Sequence, residues 1–382
     1  MYRRIRMKKL IISPDKFKGT ISAVRICDII EEQFLKEFPD IEIIKLPIAD
    51  GGDGTAACFE SRNGARKIPC EVYDPFFERI MSHFIMLGET AIIEMALYAG
   101  LALAGDRKNP LKATTYGVGQ AALEAIKQGA KKVVFALGGS ATNDMACGLL
   151  CAMGMKFYDK DKKAFIPTGG TLCDIADYDT VDLEKNTRGV EFEVMCDIDN
   201  PLYGKNGAAY VFSPQKGADE NAVIKLDEGL KHLSDLYTKK SGKDVSRLAG
   251  AGAAGGMGGG LNAFLGARLK SGIESVLDIF GFDALLNGCD MVITGEGRLD
   301  SQTLGGKVIC GIAKRCKAQS VPLIAICGDT FSCPDEIYSL GVSGVFSINT
   351  SPMCFEDAVP HSARNLAAVA SNIAKLIKVS ER

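Results

Sequence analysis

The chain of 382 residues has no tryptophan and three widely separated histidines, His83, His232 and His361. A zinc centre built from His and Cys needs several such ligands at short spacings. None of the thirteen cysteines falls in a Cys-x-x-Cys pair, so any metal should be held by oxygen. The odd count in so long a chain also argues against a disulfide framework and for reduced, mostly buried thiols. An excess of either charge is missing too, since 45 Lys plus Arg face 47 Asp plus Glu. Without a broad basic face, neither nucleic acid nor an acidic membrane is an expected partner. No apolar run approaches the roughly 20 residues of a membrane span. The start, residues 1–6, is basic, but the apolar run behind it covers only residues 10–12, short of the roughly 7 to 15 of a secretory signal. Met7 is an alternative start. These absences leave a cytoplasmic protein that handles small solutes.

What the chain has in excess is glycine, 42 residues against a usual share of about 7%, and the surplus is clustered. Residues 10–12 form a short apolar run. Ile26, Ile29, Ile30 and Phe34 come next at helical spacing, with Thr20 or Ser22 as a capping residue. Residues 41–48 read as a second strand, and a helix runs from Thr55 to about Arg62. The same rhythm returns near the other end, with strands over 291–294, 323–327 and 345–348 and a helix over 307–317. Between them lie strands at 91–95, 133–137 and 193–196 and a helix near 118–128. The length suits two α/β domains, and the alternation predicts parallel sheets covered on both faces. Pattern alone leaves open whether the two ends are separate domains or halves of one.

In such sheets ligands bind where strands end and helices begin, because the first helical N–H groups lack partners and favour anions. Four of these junctions carry unusual side chains. Ser13-Pro14-Asp15-Lys16-Phe17-Lys18-Gly19-Thr20 sets a carboxylate beside two ammonium groups, fit for a phosphate or a substrate carboxylate, or for a solvated turn. Asp50-Gly51-Gly52-Asp53-Gly54-Thr55 offers two oxygen ligands for Mg²⁺ in a loop that lets backbone approach a ligand, although Asp-Gly is also plain turn chemistry. Gly138-Gly139-Ser140-Ala141-Thr142-Asn143-Asp144 is denser in polar groups than a helix cap requires. Thr294-Gly295-Glu296-Gly297-Arg298-Leu299-Asp300-Ser301 holds an Arg able to bind carboxylate or phosphate bidentately, or to pair with Asp300. Cys196-Asp197-Ile198-Asp199-Asn200-Pro201 and Pro214-Gln215-Lys216-Gly217 join this set.

Two tempting patterns fail. Gly250-x-Gly252-x-x-Gly255 fits a dinucleotide fingerprint by letter, but residues 244–248 before it make a poor strand. Around Gly306-Lys307 a P-loop would need glycine where Ser301 stands and Ser or Thr where Val308 stands. The rival functions are a dinucleotide-dependent hydroxy-acid oxidoreductase, suggested by that fingerprint, and a two-domain solute-binding protein without chemistry.

Taken in order, these segments resemble the type 1 glycerate kinase family, from the Ser13 motif through the Ala49, Gly138, Cys196, Gln215 and Gly250 motifs to the Thr294 motif. The tract at 250–260, with seven glycines, is one of them. The resemblance implies phosphoryl transfer from ATP with Mg²⁺ to a hydroxyl of D-glycerate, to give 2-phosphoglycerate or 3-phosphoglycerate, through glycine-rich loops other than a P-loop. It also implies a Rossmann-like α/β domain built from both chain ends, residues 1–72 and 288–382, with a second α/β domain inserted over 73–287. Closure of the two would assemble the site. Lys16 and Lys18 would neutralise phosphate or substrate carboxylate, and Asp50 or Asp197 would be the base or supply a metal-binding oxygen, with Asp53 as a second ligand to Mg²⁺. Asp15, Gly51, Gly52, Gly138, Gly139, Ser140, Thr142, Asn143, Asp144, Lys216, Glu296, Arg298 and Asp300 would contact substrate or nucleotide. The chain departs from the common pattern at Lys16, often Ser, at Asp53, often Glu, and at Met145-Ala146, usually Gly-Gly. The sequence leaves the oligomeric state open.

Overall fold

The structure, a computed structural model, describes residues 7–17, 19–48, 52, 54–60, 62–299, 308–330, 335–349, 351 and 353–381. The chain divides into two compact units, Met1–Asp50 with Ile273–Arg382, and Gly51–Gly272.

The first unit is built on a parallel sheet. Its strands lie in the order Val342–Ser347, Leu323–Asp329, Met291–Arg298, Lys9–Ile12, Glu42–Lys45. Numbered along the chain this is 2-1-3-4-5, a doubly wound sheet. Lys9–Ile12 is central and pairs with Glu42–Lys45 on one side and Met291–Arg298 on the other, with Leu10 opposite Met291 and Ile12 opposite Ile293. Side chains alternate across a strand. Leu10 and Ile12 therefore join one buried cluster with Ile26, Ile30 and Phe34 of the helix Ala23–Glu37 and Leu366, Ala370 and Ile373 of the helix Ser362–Ser380. Ser22 caps the first of these helices through its side chain, as anticipated for one of two candidates.

The second unit holds a six-stranded sheet in the order Arg268–Lys270, Glu191–Met195, Lys132–Ala136, Thr90–Glu94, Arg79–Leu87, Ala65–Tyr73, and a small three-stranded antiparallel sheet. The expectation of parallel sheets needs correcting here. Pairing is parallel from Arg268–Lys270 to Thr90–Glu94, but Ala65–Tyr73 and Arg79–Leu87 form an antiparallel hairpin along their whole length. Because the hairpin belongs to this sheet, residues 51–72 go with the inserted unit, whose edges lie at 51 and 272 where the family resemblance implied 73 and 287. Residues 244–248 form no strand; Ser246 N donates to Asp244 Oδ1 in a turn.

Among the described residues all twelve cysteines are unbridged and seven are buried. No helix among them is long and apolar enough to cross a membrane.

Candidate active site

In the inserted unit three neighbouring parallel strands end at one level, with Glu94 opposite Ala136 and Ala136 opposite Met195. Lys132–Ala136 leads into the loop 138–144, and Glu191–Met195 leads into the segment 196–204. Beyond Thr90–Glu94 comes Met95, whose N–H continues the pairing onto Ala136 O at 2.9 Å.

The loop 138–144 is held from beneath. Lys216 is 1% exposed, and its ammonium donates to Ser140 Oγ at 2.9 Å and to Thr142 O at 2.7 Å. Burial brings the Lys216 pKa down to about 7, with the nearby Asp144 charge opposing it. Asp144 is fully buried, and its Oδ2 accepts from Thr115 N at 2.8 Å, Thr115 Oγ1 at 2.9 Å and Gly148 N at 3.2 Å. Burial raises its pKa, and the bonds from Thr115 and Gly148 oppose the rise. Asp144 thus ties the loop to the start of the helix Tyr116–Lys127 and to the helix Cys147–Ala152. The buried Thr142 hydroxyl, both ends of the Asn143 amide and Asp144 Oδ1 take no hydrogen bond from protein. Each such group costs about 1–3 kcal/mol unless a polar partner meets it. Gly138 and Gly139 form the more open side of the loop, and Gly139 O accepts from Leu101 N at 2.8 Å.

Neither Asn143 nor Asp144, the plain-cap alternative to ligand binding, is the N-cap residue of Cys147–Ala152, although Asp144 Oδ2 accepts from Gly148 N in the first turn of that helix. The N-cap of Cys147–Ala152 is Ala146, with φ 63° and no side-chain cap bond. Met145, at φ 49°, shares that left-handed backbone, which explains in physical terms why glycine is usual at both positions.

The tract at 250–260 forms no dinucleotide motif; it packs. A Cβ on Gly255 would lie 2.1 Å from Thr142 O, one on Gly252 2.4 Å from Pro201 O, and one on Gly250 2.7 Å from Cys196 Sγ. Two polar motifs, 138–144 and 196–201, are therefore seated against one glycine-rich segment, which enters the helix Ala253–Leu265 through left-handed turns at Ala254, Gly255 and Gly256. Asp197 is exposed, and its Oδ1 accepts from Gly272 N at 2.9 Å.

A residue that the sequence pattern did not single out supports the second motif. Glu94 is 4% exposed and accepts from Gly54 N at 2.9 Å through Oε1 and from Ala56 N at 2.8 Å through Oε2. It thereby satisfies the start of the helix Thr55–Glu60, where N–H groups would otherwise lack partners. The signal was a lone carboxylate ending the apolar run Thr90-Ala91-Ile92-Ile93-Glu94. Gly52 O accepts from Thr55 Oγ1 at 2.6 Å. Asp50, Gly51 and Asp53 of this motif lie outside the described residues, as do Lys18 and Asp300.

In the first unit, Asp15 and Glu296 are buried at the ends of adjacent strands, 8% and 6% exposed. Asp15 N donates to Gly295 O at 2.8 Å, Ser13 N to Ile293 O at 2.7 Å, and Thr294 Oγ1 to Ser13 O at 2.8 Å, so pairing runs on past the end of Lys9–Ile12. Lys16 N donates to Asp15 Oδ1 at 2.7 Å. Arg298 pairs with Asp329 at 3.4 Å, both well exposed. Among the described residues no group of three or more His, Cys, Asp or Glu is placed to hold a metal ion.

Comparison with known proteins agrees along the length of the chain. A model described as the glycerate kinase family matches residues 10–378. A glycerate kinase of Bacillus cereus is 40% identical over 97% of this chain and 98% of its own. A glycerate 2-kinase of Escherichia coli K12 is 37% identical over 98% and 99%. A crystal structure from Salmonella typhimurium LT2, assigned as a glycerate kinase 2, superposes with a TM-score of 0.88 at 37% identity, over 98% of this chain and 99% of that one.

Proposed function

The chain belongs to the glycerate kinase family, and from that premise we propose that it transfers the γ-phosphoryl group of ATP to D-glycerate in the cytoplasm, giving 2-phosphoglycerate. The observation that carries this reading is the full-length match, which spans loops standing at strand ends in both units. The choice of the 2-hydroxyl rests on the relative named glycerate 2-kinase.

Phosphoryl transfer asks a protein mainly to position reactants and to neutralise charge on the transferring group. Loop 138–144, braced by Lys216 and Asp144, supplies a rigid polar edge, and Ser140, Asn143, Gly138 and Gly139 are the groups it offers to a substrate or a phosphate. Asp15, Lys16, Glu296 and Arg298 are the corresponding groups of the first unit, and Lys18 adds a cation to that loop. By residue type Asp50 and Asp53 would hold Mg²⁺ through one or two carboxylate oxygens, and the ion would neutralise charge on the phosphates of ATP. Asp50 or Asp197 takes the proton from the attacking hydroxyl.

Incubation with D-glycerate, ATP and Mg²⁺ tests the reading, with ADP release followed beside enolase-coupled detection and phosphoglycerate mutase added only in a parallel tube. Enolase signal without mutase is the expected result. Signal only with mutase makes 3-phosphoglycerate the product, and no glycerate-dependent ADP removes the kinase assignment. If Asp50 is the base, Asp50→Asn should cut turnover by about 10² or more, and near-normal turnover moves the role to Asp197, tested by Asp197→Asn in the same assay.

A further inference from the structure

Lys216 is a buried cation with no counter-charge in contact. Its ammonium forms no ion pair among the described residues, and its two partners, Ser140 Oγ at 2.9 Å and Thr142 O at 2.7 Å, are both uncharged. An ammonium has three N–H donors, and a buried charge is ordinarily paired. Asp144 acts on it through space, but Oδ2 of that carboxylate is taken by Thr115 and Gly148. The other titratable groups of the neighbouring segments, Lys108, Tyr210 and Asp219, are exposed. The loop above this charge is fixed through its backbone. Gly100 and Ser140 form an isolated antiparallel bridge, with Leu101 N donating to Gly139 O and Ala141 N to Ala99 O, each at 2.8 Å. Lys216 fixes the side chain as well. Ser140 Oγ accepts from Lys216 and donates to no group among the described residues, so its proton is left for a ligand. The loop stands at the carboxyl end of a parallel strand, where α/β sheets take their ligands.

We propose that Lys216 is a positioning residue for the substrate: by giving an N–H to Ser140 Oγ it turns the Ser140 hydroxyl proton toward an anionic oxygen seated on loop 138–144, and that anion balances its buried charge. The assignment rests on the kinase reading above, which supplies two such oxygens, on the carboxylate of glycerate and on the phosphates of ATP. Lys216, 1% exposed, does not touch the ligand; Ser140, 8% exposed, is the group that reaches it. The proton on Lys216 decides the direction of the hydroxyl. Thr142 O is a carbonyl and can only accept. A charged Lys216 donates to both oxygens and leaves the Ser140 proton facing outward. A neutral one has a lone pair to satisfy, and Ser140 is the partner able to donate to it, so the proton turns inward and away from the ligand. Burial brings the Lys216 pKa to about 7, and a bound anion favours the charged form. Anion binding should therefore be tightest below that value and weaken as pH rises through it.

The test uses the whole enzyme, with steady-state kinetics varied in glycerate and in ATP from about pH 6 to about pH 9, and titration calorimetry of D-glycerate and of ADP beside them. Ser140→Ala should raise one of the two KM values about tenfold at the acid end, with kcat little changed. The substrate affected tells whether the oxygen belongs to the carboxylate or to a phosphate. Lys216→Met should raise the same KM, and the double variant should fall short of the sum, since both changes remove one donor. The wild-type KM for that substrate should climb as pH rises through about 7, and Lys216→Met should remove the climb, which a lysine that merely braced the loop would not produce. If Lys216→Met fails to fold, Ser140→Ala carries the same readout, because without the hydroxyl the climb should shrink. Both KM values unchanged in Ser140→Ala, a wild-type KM flat with pH, or fully additive effects of the two substitutions would each overturn the proposal. A wild-type enzyme that releases no ADP with glycerate fails at the kinase reading instead. The calorimetric constants of the same variants then decide, and constants that do not move overturn the role of Lys216.

Discussion

Lys216 carries the sharpest electrostatic consequence at the scale of one residue. Its ammonium is buried with a pKa brought down to about 7, against 10.5 for the free side chain. Between those values the unfolded chain holds the proton and the folded one releases it, so stability rises with pH across the window. The contribution is complete above 10.5 and is lost as pH falls through about 7. Its size is on the order of a few kcal/mol. Lys216→Met removes the titration along with the bonds to Ser140 and Thr142, and the lost bonds are a cost independent of pH. The wild type should therefore gain stability relative to the variant as pH rises from about 6 to about 9, measured by urea unfolding at each pH. A difference that stays flat or shrinks would mean that Lys216 is solvated in the folded state. Asp144 has the opposite sign. Its raised pKa makes its contribution fall as pH rises from the ordinary carboxylate value through the folded one. The sequence put both among its candidates, Asp144 through the polar density of its loop and Lys216 through the turn 214–217, but not their shared buried position, because residue type does not tell which face of a loop meets the core.

At the scale of elements, the glycine tract shows how a motif can be read correctly and its reason missed. Residues 250–255 fit a dinucleotide fingerprint by letter, and the absent strand before them was visible in the sequence. Their use as the seat of loop 138–144 required coordinates. Gly255→Ala combines a left-handed φ of 70° with a Cβ 2.1 Å from Thr142 O, a backbone atom that cannot swing aside. We expect it to cost about 3 kcal/mol or more and to lower turnover with it. Gly266 has a similar φ of 62° with nothing within 4 Å of its Cβ position, so Gly266→Ala should cost only about 1 kcal/mol. Equal costs in denaturant melts would show that conformation alone, and not contact with the loop, demands glycine at 255. The hairpin Ala65–Tyr73 with Arg79–Leu87 was hidden in the sequence because Pro69 and scattered charges interrupt its first strand. Pro69 is tolerated because that strand lies at the sheet edge. The helix Glu220–Ser241, also unread, carries ordinary signals: Asp219 caps it, Gly242 ends it, and Leu226, Leu230 and Leu233 recur on its buried face.

At the scale of the molecule, the α/β class was legible because strand-loop-helix patterns recur at each end, whereas the joining of both chain ends, which pattern left open, was implied only by the family resemblance. The boundaries were not, since a boundary is set by which strands pair, and Leu10 finds its partner Met291 across the whole insertion. That connectivity makes a prediction about folding. The inserted unit is one continuous stretch whose nine described strands all pair within it, and the members of its core cluster run from Cys70 to Ala267. Residues 51–272 expressed alone should unfold in a single cooperative urea transition and show no turnover of glycerate and ATP. The first unit is the reverse case. Its central strand lies near the start of the chain and its third strand beyond residue 290, so residues 273–382 alone lack the strand on which Glu42–Lys45 and Met291–Arg298 both pair. They should remain unfolded until residues 1–50 are supplied. A fragment 51–272 that melts gradually, or one of 273–382 that melts cooperatively, would show that the cores depend on each other differently, because a sheet missing its middle strand exposes apolar faces and unpaired backbone on both sides of the gap.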